Sequence, residues 1–124
     1  MEYICKTKRK TQEGNMKQTF WILGCGPITK KRTLTKTLAP ILAELAREGV
    51  GAVVTDLPRC GVELDWEALA PGAVVLDREE DALPPSGAVA VLCSQGGSRS
   101  QRARKWDLKK RCAKCGTAVV SVMV

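Results

Sequence analysis

Five short runs of nearly continuous apolar residues recur along the chain: TFWIL at 19–23, VGAVVTD at 50–56, GAVVLD at 72–77, GAVAVLC at 87–93 and TAVVSVMV at 117–124. They lack the polar alternation of a half-solvated strand, so each reads as a strand covered on both faces, the pattern of parallel sheets. Parallel neighbours need long crossovers, and the intervening sequence supplies helices. Leu34, Leu38, Ile41, Leu42 and Leu45 recur at spacings of three and four, with Thr33 or Thr35 able to cap the start and Glu48 and Gly49 marking the end. Pro40 falls inside that pattern and is expected to kink or split the helix near Ala39. Asp65 caps a short helical piece, DWEAL, and residues 99–111 form a basic helix with Ala103, Trp106 and Cys112 turned inward. The expectation is an α/β fold, a three-layer sandwich with a mainly parallel sheet of about five strands.

With 124 residues and 44% hydrophobic content, the chain can bury one core and is expected to form a single α/β domain over 18–124. Residues 1–17 show no periodicity and carry five basic side chains, which predicts a flexible basic tail, with Met16 as a second candidate start. No apolar run reaches the ~18 residues of a membrane span, and the first thirty residues lack the apolar core of a secretory signal. A cytoplasmic protein without membrane contact is expected.

The net charge of +7 is unevenly distributed. Residues 1–43 hold nine basic and two acidic side chains, 44–81 hold three and ten, and 82–124 hold eight and one. Two basic blocks around an acidic middle suggest that folding joins the basic ends into a patch for an anion. The six cysteines are mostly isolated and lie in or beside apolar runs, which reads as buried thiols in a reducing compartment rather than a disulfide framework. Cys112 and Cys115 form a single C-x-x-C pair without the second pair a zinc knuckle needs, so burial is again the expectation.

In open parallel sheets, ligands sit beyond the carboxyl ends of the strands. Those ends carry Cys25, Asp56, Asp77 and Cys93, with Lys30, Lys31, Arg32, Arg99 and Arg102 close behind the first and fourth. The densest signal is C-S-Q-G-G-S-R-S at 93–100, between an apolar strand and a helix. A loop of that length can turn the amides of Ser94, Gln95, Gly96, Gly97 and Ser98 onto an oxyanion, with Arg99 forking onto two of its oxygens. Lys30, Arg32 and Arg102 would add to the anion site. Beneath it, Cys93 would be a thiolate favoured by the helix dipole and Arg99, with Ser100 donating a hydrogen bond to the sulfur. Asp56 and Asp77, each closing a strand, are the candidate general acids.

The same eight residues resemble the signature loop of the cysteine-dependent phosphatases: cysteine, five residues, arginine, then serine or threonine. That resemblance implies Cys93 as nucleophile, Arg99 as phosphate clamp and Ser100 as the aid to breakdown of a phosphocysteine. A second stretch, W-E-A-L-A-P-G-A-V-V-L-D-R-E-E at 66–80, is similar to the opening of rhodanese-like sulfurtransferases, which implies Cys93 as acceptor of a sulfane sulfur. Either resemblance implies a hydrolase or transferase acting on a phosphate- or sulfur-bearing anion, and needs neither cofactor nor metal.

The competing expectation is a non-catalytic module. Residues 99–114 hold eight Lys and Arg against Asp107 alone, a composition suited to nucleic acid or a nucleotide. Trp106 can stack a base, but three residues after Ala103 it is expected to anchor the helix on the sheet.

Overall fold

The computed structural model describes residues 18–45, 47, 49–96 and 98–124. The tail expected at 1–17, with Met16 and Cys5, and the loop residue Gly97 lie outside the described residues. Strands β1 (Gln18–Gly24), β2 (Val50–Thr55), β3 (Val74–Asp77), β4 (Val89–Ser94) and β5 (Ala118–Met123) form one sheet in the order β3-β2-β1-β4-β5, and every neighbouring pair is parallel. Helix α1 (Lys31–Leu45) joins β1 to β2, α2 (Trp66–Leu69) follows a short 3-10 turn at Leu57–Cys60, and α3 (Arg99–Lys114) joins β4 to β5. The five apolar runs thus become five strands of an α/β sheet. None of the described helices is long and apolar enough to cross a membrane.

Alternation along the strands assigns the helices to faces. Phe20, Ile22, Val53, Val91, Cys93 and Val122 cluster with Leu34, Leu38 and Leu42 of α1. The intervening Leu23 and Leu92 pack instead with Cys25 and Leu108 of α3. Since successive strand residues point to opposite faces, α1 and α3 cover opposite sides of the sheet. The three α1 leucines are fully buried, and each contributes about 1.5–3 kcal/mol of transfer free energy.

Two local expectations are corrected, at the start of α1 and at β3. Helix α1 is continuous through Pro40, so it is not split near Ala39. The proline is exposed, and the Lys36 carbonyl it leaves without an amide belongs to an exposed residue, so water can satisfy it. The helix begins at Lys31, ahead of both threonines expected to cap it. Strand β3 is not covered on both faces: all four of its residues are exposed, with Val74 at 58%, because it is the sheet edge and, among the described residues, no helix packs closely on it. The cap at Asp65 stands, its carboxylate accepting from Ala68 N at 3.3 Å.

Candidate functional site

Strand order reverses between β1 and β4, which places the two following loops side by side at the carboxyl edge. Two glutamines tie them together. Gln95 Oε1 accepts from the amides of Thr29 at 2.6 Å and Lys30 at 3.0 Å, which caps the amino end of α1 with a side chain from the opposite loop. Gln101 Oε1 accepts from Gln95 N at 2.8 Å, and its Nε2 donates to the Pro27 carbonyl at 2.8 Å. Gly26 leaves room for this bridge, since a Cβ there would stand 2.8 Å from Gln101 Cγ.

Two of the amides expected in the oxyanion cradle are engaged within the fold. Gln95 N is engaged by Gln101, Gly96 N donates to the Val124 carbonyl at 3.0 Å, and Ser94 is the last residue of β4, its hydroxyl facing the Val122 carbonyl at 3.5 Å. Ser98 caps α3, accepting from Gln101 N. Ser100, expected on the sulfur, lies 3.0 Å from the Ser98 hydroxyl. Arg99 is exposed, as are Lys30, Arg32 and Arg102.

Cys93 itself is fully buried on the α1 face of the sheet. Burial pushes its thiol up to about 12, and Cys25, Asp56 and Cys60 act in the same direction. Burial thus acts against the thiolate expected at Cys93, and Arg99 is not among the groups acting on it. Cys25, packed under α3, is likewise raised to about 11 by burial, with Lys105 and Arg104 opposing. Cys112 is buried and Cys115 half-buried, and both are free thiols. No group of three or more His, Cys, Asp or Glu among the described residues is arranged to hold a metal ion.

The two candidate acids separate. Asp77 is exposed on β3, with β2 and β1 between it and β4, which puts it roughly 14 Å from Cys93 across the strands. Asp56 is buried and engaged: Oδ1 accepts from Gly24 N at 2.8 Å, and Oδ2 pairs with Arg78 Nη1 at 3.2 Å. A carboxylate held by a guanidinium and an amide anchors the loop that follows β1.

The third candidate region is the outer surface of α3. This sixteen-residue helix buries only Gln101, Leu108 and Cys112, a seam at spacings of seven and four. Trp106 is 66% exposed, which corrects its expected role as the anchor of the helix. Ala103 and Trp106 do share a face, but it is the face opposite Leu108. One turn to either side of Trp106 stand Arg102 and Lys110, with Arg99 and Lys114 farther along the same surface. Asp107 is tied to Arg111 Nε at 3.2 Å and stays to one flank of this basic strip. The sequence contained the cations but not the direction of the indole. Arg59 carried no motif, and Arg78, Gln101 and Arg104 lay inside stretches read for other features, the run at 66–80 and the basic helix.

No protein-family model, curated protein or solved structure matches the chain.

Proposed function

We propose that the protein is a non-catalytic nucleic-acid-binding module that engages unpaired bases and phosphates through the outer face of α3. The observation that carries this reading is Trp106, a large aromatic side chain 66% exposed on a helix whose neighbouring positions are cationic. Exposing an indole forgoes the burial stabilisation that a core position would give it, and the outer face of α3 offers it only the methyl group of Ala103 as an apolar neighbour within one turn. An aromatic platform between cations is the arrangement that stacks one base while the flanking side chains take the adjoining phosphates. A helix of sixteen residues is about 24 Å long, enough to track several nucleotides of a single strand. Unpaired nucleic acid is favoured over duplex because stacking on Trp106 requires a base whose face is free.

The test is a titration of a fluorescent single-stranded oligonucleotide at several salt concentrations. Binding should weaken steeply with salt, with a log–log slope of about −2 to −4 for three to five phosphate contacts. Neutralising Arg102, Lys110 and Lys114 together should abolish it, while Cys93→Ser should leave it unchanged. Salt-independent binding, or binding that survives the triple variant, would remove the basis of the proposal.

A further inference from the structure

Beside the bridge made by Gln95 and Gln101, toward β2 and β3, the carboxyl edge opens into a cleft of about 470 Å³ that the nucleic-acid reading does not use. Its lining includes Gly24 and Gly26, the arginines Arg59, Arg78 and Arg104, and the acidic residues Glu80 and Asp81. We infer that this cleft is a second binding site, for a phosphorylated sugar-containing molecule of mononucleotide size. The inference stands independently of the reading given for the outer face of α3.

Arg78 carries the argument. Its side chain is 4% exposed, and the guanidinium is fixed from two sides: Nε donates to the Ala82 carbonyl at 2.7 Å and Nη1 to Asp56 Oδ2 at 3.2 Å. The Arg78 carbonyl is in turn held by Arg59 Nη2, from the turn that follows β2. Among the described residues Nη2 of Arg78 has no hydrogen-bond partner, and the residue borders the cleft. A buried pair that served stability alone gains little over apolar packing, because desolvating both charges offsets their attraction. A guanidinium held rigid with one edge left over is instead preorganised to receive an oxyanion.

Helix α3 supplies a further cation. Arg104 lies four residues before the buried Leu108, so it projects from the sheet side of α3 and not from the strip that holds Trp106. It reaches the same cleft, where its field also acts on Cys25.

Charge balance narrows the ligand. Asp56 is committed to Arg78 and Gly24, which leaves Glu80 and Asp81 as acceptors near the three guanidinium groups of Arg59, Arg78 and Arg104. Asp81 has φ 59, a left-handed conformation that aspartate tolerates better than most residues. A bare dianion would be drawn to the arginines and repelled by these carboxylates. A molecule bearing hydroxyls beside its phosphate satisfies both, since the hydroxyls donate to the carboxylates. The cleft volume falls within the ~300–1,000 Å³ typical of small-molecule sites.

The test is calorimetry on the full chain with AMP, ribose 5-phosphate and inorganic phosphate. AMP and ribose 5-phosphate should bind at least tenfold more tightly than inorganic phosphate. Arg78→Gln should abolish binding; because that change also breaks a buried pair, Arg104→Gln and Asp81→Asn, both at exposed positions, serve as the variants that keep the fold. Each should weaken ribose 5-phosphate at least fivefold with an unchanged melting temperature. Trp106→Ala should leave ribose 5-phosphate affinity within twofold. Absence of heat with all three ligands at millimolar concentration would overturn the inference. So would inorganic phosphate binding as tightly as AMP, or loss of ribose 5-phosphate in Trp106→Ala with retention in Arg104→Gln.

Discussion

Asp56 Oδ2 and Arg78 Nη1 lie 3.2 Å apart, with both side chains less than a tenth exposed, and the other carboxylate oxygen of Asp56 receives the amide that ends β1. One buried ion pair thereby ties the loops that follow β1, β2 and β3. Removing the carboxylate leaves a guanidinium without its counter-ion and an amide without its acceptor. Asp56→Ala should therefore cost about 3–5 kcal/mol in urea unfolding. A cost below about 1 kcal/mol would mean that solvent already reaches the pair.

The side chain of Gln95 replaces a helix cap. Its Oε1 accepts from Thr29 N and Lys30 N at the start of α1, across a gap of more than sixty residues in sequence. Gln95→Ala should destabilise the protein by about 1–2 kcal/mol, in the range of a lost cap, and Gln95→Glu should recover much of that, since a carboxylate accepts the same amides and suits a helix amino terminus. Equal losses for the two variants in chemical denaturation would argue against the capping role.

Cys93 and Cys25 are thiols whose ionisation is pushed up by burial, to about 12 and about 11. The unfolded chain loses these protons near its ordinary value of ~8.5, so above that pH the native state holds more protons than the unfolded one and stability falls as pH rises. The contribution is complete below about pH 8 and is lost progressively towards pH 11–12. Urea midpoints measured from pH 7 to 10.5 should decline, and less steeply in Cys93→Ala after allowance for its lower starting stability. At pH 7.5, Cys93 should react with iodoacetamide only after unfolding; rapid alkylation in the native state would restore the nucleophile reading.

Trp106 contributes little to the fold and much to the proposed interface. Trp106→Ala should change stability by no more than about 0.5 kcal/mol, as for surface substitutions generally. It should weaken single-stranded nucleic acid by about 1–3 kcal/mol, the range for loss of one stacked base. In the parent chain, oligonucleotide should quench indole fluorescence, and the quenching should be absent in the Ala variant. A large loss of stability with unchanged affinity would return Trp106 to a structural role.

The exposed edge at β3 offers Val74, Val75 and Leu76 to solvent without a proline or lysine among them. Such an edge invites pairing with other chains. Val75→Lys should raise the concentration at which light scattering appears, with little change in the unfolding midpoint; unchanged scattering would mean that the edge is not the sticking point.

Local chemistry in the sequence determined the sheet. The five β-branched runs, the leucine spacing of α1 and the cap at Asp65 are short-range patterns, and each emerges as the element it encodes. The loop at 93–100 shows where that legibility ends. Its residue types suit an anion cradle, yet whether an amide is free depends on how the chain folds around it, and here Gln101 accepts from Gln95 N and Val124 from Gly96 N. Direction was decided in the same way. Spacing placed Ala103 and Trp106 on one face of α3, but which face meets the sheet was fixed by the packing of Leu108 against Leu23 and Leu92. Arg78 is one charged residue among many in the sequence; only the return of β2 and β3 to neighbouring positions buries it against Asp56. Periodicity is a property of a few neighbouring residues, whereas burial, and with it the protonation of a thiol or the rigidity of a guanidinium, is set by what the whole chain brings around it.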